Sequence, residues 1–181
     1  LVIIGGGLAS ARAIKSFREA GGKGSIALFS RDSTLPYHRP PLSKKFLRGE
    51  TDEEPIVEDE QFYSDHGAEV MLETSVESVD PQAHELAVDG DRMAYGKLLL
   101  ATGAWPRQLE VPGSDLDGIF TLRTVGNSKA IRDAAAGAER AVVVGAGFIG
   151  MEVAASLRQI GKEVSLVHLG RQHWTIPPAC P

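Results

Sequence analysis

The sequence predicts an α/β protein with two repeated strand–turn–helix units, and three observations carry that class. A short apolar run meets a glycine turn twice: Leu1-Val2-Ile3-Ile4 into Gly5-Gly6-Gly7, and Ala141-Val142-Val143-Val144 into Gly145-Ala146-Gly147. Each turn opens a stretch with helical apolar spacing that stops at a glycine, Gly21 or Gly161, and a second apolar run follows each stop. The composition is that of an ordinary globular chain, 181 residues with 43% hydrophobic and 24% charged, which allows one or two domains and a sizeable core.

The elements follow in order. Leu1–Ile4 reads as a buried strand, and Leu8, Ala11, Ile14 and Phe17 then recur every third residue along a helix. Ile26–Phe29 is the second strand. Residues 31–60 are irregular: Pro36, Pro40 and Pro41 hold the backbone extended, and the acidic run from Asp52 to Glu60 is a solvated surface. Residues 70–95 read as short strands with turns at Asp80-Pro81 and Asp89-Gly90. Leu98–Leu100 is a buried strand ending at Ala101-Thr102-Gly103, and 105–120, with Pro106, Pro112 and Gly113, is a linker. Asn127 or Ser128 suits a helix N-cap. The second unit carries a helix with Ile149, Val153, Leu157 and Ile160 on one face, then a strand at Val164–Val167. Two parallel strands cannot cover both faces of a sheet, so the chain is expected to be a piece of a longer protein or to end in an aberrant tail from Gln172.

Charge and composition narrow the function. Nineteen basic against twenty-four acidic residues give −5, which disfavours a nucleic-acid partner. One cysteine, Cys180, excludes an internal disulfide, a Cys-x-x-Cys pair and a cysteine-built metal cluster, and it receives no role. No apolar run approaches the ~20 residues of a membrane span, and no signal peptide precedes the first glycines, so a cytoplasmic setting is expected. His66, His84 and His173 lack ligand partners at useful spacing and read as surface residues; no metal site is expected.

The glycine turns have a mechanical logic. Gly5 allows the tight strand-to-helix turn, Gly7 lets backbone approach a pyrophosphate, and the third position, Ser10, is small enough for helix and strand to pack closely. The helix N-terminus then offers unpaired N–H groups to phosphate. A ribose-reading acid belongs about 20 residues beyond the glycines, where Asp32 is the candidate in the first unit. In the second unit the strand ends at His168, with Arg171 following and no acid; those side chains lean toward a 2′-phosphate and NADPH, the alternative being that His168 is simply exposed at the strand end and the nucleotide is NADH or NADPH.

Four motifs in order, the Gly5 turn, the loop Pro36-Tyr37-His38-Arg39-Pro40-Pro41-Leu42-Ser43-Lys44, the Ala-Thr-Gly strand end and the Gly145 turn with Glu152, resemble the flavoproteins with two dinucleotide-binding domains. The match, over about residues 1–171, is to their ferredoxin/rubredoxin reductase and apoptosis-inducing-factor group. The resemblance implies a Rossmann-like FAD-binding domain over 1–109, a ββα sandwich with a small β-meander. The first part of a second Rossmann-like domain, for NAD(P)H, would follow over 110–181. It implies FAD contacts at Gly5, Gly7, Ser10, Arg39, Lys44, Val76, Ala101, Thr102, Gly103 and Arg107. The family often has an acid where this chain has Arg31, which makes Asp32 the substitute. Gly145, Gly147, Phe148, Ile149 and Gly150 match the phosphate turn for NAD(P)H, and in relatives the residue matching Glu152 pairs with the loop lysine, here Lys44, near the flavin.

The implied activity is FAD-dependent NAD(P)H oxidoreduction, with Lys44 and Glu152 as the catalytic pair. The missing cysteine pair argues against a disulfide reductase, leaving a ferredoxin- or rubredoxin-like iron–sulfur protein as the leading acceptor. Reduction of a quinone or small molecule, a redox-sensing scaffold like apoptosis-inducing factor, and an inactive fragment of such a flavoprotein are the rivals. The family's later FAD-contacting segment is absent, so the 181-residue piece is expected to retain FAD weakly or not at all.

Overall fold

The structure is a computed structural model that describes residues 1–169. It divides into two compact units: Leu1–Arg39 with Glu54–Arg107, and Pro40–Glu53 with the chain from Gln108 onward.

The first unit is built on a parallel sheet of four strands, β1 (Val2–Ile4), β2 (Ile26–Phe29), β3 (Ala68–Met71) and β7 (Leu98–Leu100), in the order β3-β2-β1-β7. Its two faces are apolar and largely covered, but β7, expected to be a buried strand, is only partly so: Leu98 and Leu99 are half-buried and Leu100 is 62% exposed at the strand end. Helix α1 (Leu8–Glu19) covers one face with Ile14, and α2 (Glu60–Asp65) adds Tyr63; these pack with Ile3, Ile26 and Leu28. The other face, Val2, Phe29, Ile4 and Leu98, meets Leu86, Val79 and Met93 of an antiparallel meander, β4 (Val76–Asp80), β5 (Glu85–Val88) and β6 (Asp91–Ala94). This is the expected ββα sandwich. The β5–β6 turn is the Asp89-Gly90 pair, both with positive φ, the chemistry of a two-residue hairpin.

In the second unit, β8 (Arg140–Val144) and β9 (Glu163–Val167) form a parallel pair. Helices α3 (Val125–Ala136) and α4 (Phe148–Gln159) supply Ala135 and Leu157 to a small core with Val143. Both glycine-stopped helices end as expected, at Glu19 and Gln159, with Gly21 and Gly161 in left-handed conformation just beyond.

Several expectations need correction. The N-cap of α3 is Thr124, whose hydroxyl accepts from the Asn127 N–H while the Thr124 N–H donates to Asn127 Oδ1. Asn127 is therefore the far half of a capping box, and Ser128 is buried. The Pro40-Pro41 segment is a 3₁₀ turn over Pro40–Ser43, not an extended path; a proline φ near −65° suits either form, and the missing N–H costs nothing at the start of a turn. The acidic run is not simply solvated: Glu58 pairs with Arg12, Asp59 caps α2, and Asp52 pairs with Arg132. His66 is half-buried, its ring centre 4.1 Å from that of Phe62 and tilted against it. The first apolar positions of both helix stripes, Leu8 and Ile149, are exposed, because each sits in the first turn at a glycine mouth.

Candidate functional site

In the first unit the chain leaves β1 into a turn where Gly5 has φ +126°, and a Cβ there would lie 2.1 Å from the Ala101 carbonyl oxygen. Only glycine lets β1 and the end of β7 come this close. A Cβ on Gly6 would collide with the Ser30 side chain, but one on Gly7 would meet nothing within 4 Å. Gly7 thus presents bare backbone to an open space. It is also the N-cap of α1, with no side chain closing the first N–H groups. Ser10, buried, donates its hydroxyl to the Gly5 carbonyl and locks the turn.

Tyr37 connects Asp32 and Arg39 to this turn. Tyr37 forms a backbone bridge with Gly7, and its hydroxyl donates to Asp32 Oδ2 at 2.6 Å. Arg39 Nη1 donates to the same hydroxyl at 3.1 Å, and its guanidinium lies 4.9 Å from the centre of the Tyr37 ring. Asp32, Tyr37 and Arg39 form one chain of contacts, so Asp32 already serves as an acceptor within the protein. Tyr37, which the sequence reading left unassigned, is its centre; its place in the Pro-Tyr-x-Arg loop was the signal available. Ala101 donates its N–H to Ile4, and Thr102 and Gly103 follow it into solvent, as does Arg107. Arg31, one position before Asp32, places its guanidinium 4.7 Å over the Trp105 ring. Val76 opens β4 at a register shift, where the ladder with β5 goes out of step.

The second unit repeats the turn. Gly147 is the N-cap of α4, again without a side-chain cap, and a Cβ on Gly145 or Gly147 would meet nothing within 4 Å. A Cβ on Gly150 would lie 1.9 Å from the Gly145 carbonyl oxygen, so helix and turn are in backbone contact. Phe148 is 73% exposed and Ile149 55% exposed, which sets both side chains at the open mouth of the turn. His168 follows β9 half-buried; Arg171, Cys180 and His173 lie outside the described residues.

Within this same unit, Lys44 meets Glu152. Lys44 Nζ stands 2.7 Å from Glu152 Oε2, and Ser43 Oγ donates to that same oxygen at 2.5 Å. The lysine beside it, and then the serine, hold the Glu152 carboxyl below the usual carboxylate range against a small opposing effect of burial. Arg48 pairs with Glu50 and also reaches Ser156 on α4. Among the described residues no group of three or more His, Cys, Asp or Glu could hold a metal ion, and no helix is long and apolar enough to cross a membrane.

Residues 1–176 match the model of the pyridine nucleotide-disulphide oxidoreductase family. The chain is 41% identical over 169 residues to a rubredoxin-NAD(+) reductase of Pseudomonas putida, covering 92% of this chain and 44% of that protein. It is 39% identical to rhodocoxin reductase of Rhodococcus erythropolis, over 92% and 40%. Among solved structures, the ferredoxin reductase of the CYP199A2 system from Rhodopseudomonas palustris superposes with a TM-score of 0.85 at 38% identity, over 91% of this chain and 41% of that one. Putidaredoxin reductase in covalent complex with putidaredoxin gives 0.85 at 32%, over 91% and 41%. The chain spans about two fifths of the length of the relatives it matches.

Proposed function

The chain belongs to the pyridine nucleotide-disulphide oxidoreductase family, and from that premise we propose that it is the cofactor-binding part of an FAD-dependent NAD(P)H oxidoreductase. Electrons pass from NAD(P)H through flavin to a small iron–sulfur protein of the ferredoxin or rubredoxin type. The observation that carries this reading is the pairing of Lys44 with Glu152 in a chain whose two glycine turns both leave their helix N-termini uncapped by side chains.

The residues present fit the cofactors. The open space in front of Gly7 and the uncapped first turn of α1 suit a pyrophosphate, the Asp32–Tyr37–Arg39 chain delivers a cation beside that turn, and Ala101–Gly103 and Val76 offer backbone. We assign FAD to residues 1–109. The NAD(P)H domain begins at 110, with Gly145, Gly147, Phe148, Ile149 and Gly150 at its phosphate turn. His168 and Arg171 favour the 2′-phosphate of NADPH.

When bound, FAD supplies the two-electron chemistry that accepts from the nicotinamide and the one-electron steps that serve an iron–sulfur centre. The chain's own contribution is electrostatic. Lys44 brings a positive charge that favours a more negative reduced ring, and the ionised Glu152 keeps that ammonium charged and in place. Gly7 and Gly147 admit phosphate to the helix N-termini, and Arg39 adds a donor held by Tyr37. The single cysteine and the names of the relatives support an iron–sulfur acceptor over a disulfide, and a cytoplasmic setting belongs to the same reading.

The test is an equilibrium titration of the chain with FAD, followed by flavin fluorescence. Saturable binding that weakens at least tenfold in Gly7→Ala supports the reading. The absence of any saturable change, or equal affinity in the variant, removes FAD from this turn.

A further inference from the structure

We propose that Ser43 and Ser156 are positioning residues that lock the lysine-bearing turn onto α4 and hold the Glu152 carboxylate against Lys44. The inference rests on the reading of Lys44 and Glu152 above and concerns how the pair is held.

Four hydrogen bonds define the device. Ser43 Oγ donates to Glu152 Oε2 at 2.5 Å, the oxygen that also receives Lys44 Nζ. Four residues along α4 from Glu152, and so on the same helix face, Ser156 Oγ donates to the Ser43 backbone carbonyl at 2.7 Å. Arg48 Nη1 donates to Ser156 Oγ at 3.3 Å, which leaves that hydroxyl both donating and accepting and therefore oriented. From α3, Ser128 donates to the Leu42 carbonyl at 2.8 Å. The last carbonyls of a helical turn ordinarily lack partners; here two helices take them from buried positions, since Ser128 and Ser156 are almost wholly buried.

The arrangement does more than satisfy backbone. Lys44 and Glu152 side chains are 45% and 34% exposed, and a pair that open normally wanders and contributes little. A second donor on one carboxylate oxygen fixes the carboxylate rotamer, and a clamp on the carbonyl of the preceding residue fixes the backbone from which Lys44 projects. Alanine would serve the α4 helix better than serine at 156; the hydroxyl earns its place through Ser43. Among the neighbouring charges, Arg48 pairs with Glu50 and Arg132 with Asp52, and Lys45 lies near Glu50.

The experiment is a carboxyl ¹³C NMR titration of Glu152 in the glutamate-labelled chain, compared with Ser43→Ala, Ser43→Thr and Ser156→Ala. Loss of a donor to the carboxylate disfavours its charged form, so Ser43→Ala is expected to raise the Glu152 midpoint and Ser43→Thr to restore it. Ser156→Ala is expected to raise it in part, because the turn is no longer held. In FAD-loaded protein, Ser43→Ala should slow flavin reduction by about three- to tenfold without changing the KM for nicotinamide. A Glu152 midpoint unmoved by Ser43→Ala, or by Ser156→Ala, overturns the role given to that serine. The titration needs no flavin, so failure of the clamp and failure of the flavin reading are separate results.

Discussion

Lys44 Nζ stands 2.7 Å from Oε2 of Glu152, so a turn just after the proline loop and the first turns of α4 share one charge pair. The two residues belong to motifs far apart in sequence, and they lie in the same compact unit.

Replacing Glu152 with Gln separates function from stability. Because both side chains are partly exposed, the change should lower unfolding free energy by less than about 1 kcal/mol at neutral pH. The Glu152 carboxyl is held below its ordinary value, so its contribution is present above the unfolded-state value and is lost as pH falls through the lower folded-state value. Urea unfolding of the wild type and the variant should therefore converge in acid. A gap that does not narrow as pH falls below the unfolded-state value contradicts the pairing.

Two glycines of one turn should respond in opposite ways. Gly5→Ala places a Cβ against the Ala101 carbonyl at a positive φ and should cost roughly 2–5 kcal/mol of stability. Gly7→Ala meets nothing within 4 Å, so the fold should persist while the turn loses access for a pyrophosphate. Thermal unfolding midpoints beside FAD titrations separate the two; equal loss of stability in both variants is the outcome against this account.

Tyr37→Phe removes the hydroxyl that joins Asp32 to Arg39. The expected cost is about 1–3 kcal/mol, with weaker FAD binding through a looser Arg39. Unchanged denaturant midpoint and unchanged FAD affinity would show that the chain of contacts carries no weight.

On the proposed reading, the end of β9 sets the choice of nicotinamide cofactor. His168→Asp should shift preference from NADPH toward NADH, because a carboxylate accepts from a free 2′-OH and repels a 2′-phosphate. Dissociation constants for both nucleotides, measured by calorimetry, check the direction; a wild type that prefers NADH contradicts it at once.

The sequence made the strand–glycine–helix repeats plain because a buried parallel strand and a glycine stop are local signals, visible in Val2–Ile4 and Gly21 alike. The meander was readable for the same reason, from Asp89-Gly90. What stayed hidden was tertiary. Nothing local distinguishes Thr124 from Asn127 as the cap, since both residue types suit the position and the reciprocal bond decides. Two prolines at 40–41 fit an extended path or a 3₁₀ turn equally, and packing against α3 and α4 selects the turn. Family likeness pointed to Lys44 and Glu152, but it gave no sign of Ser43 and Ser156, whose roles depend on which backbone carbonyl lies within reach. Asp32 was readable as an acid near the strand end; its engagement by Tyr37 was not.

The most direct test is the visible spectrum of the chain under saturating FAD, without oxygen, as NADPH or NADH is added. The account predicts a flavin band shifted by binding that bleaches with added nucleotide, at lower concentrations of NADPH than of NADH. A bound flavin band that stays oxidised with both nucleotides contradicts it.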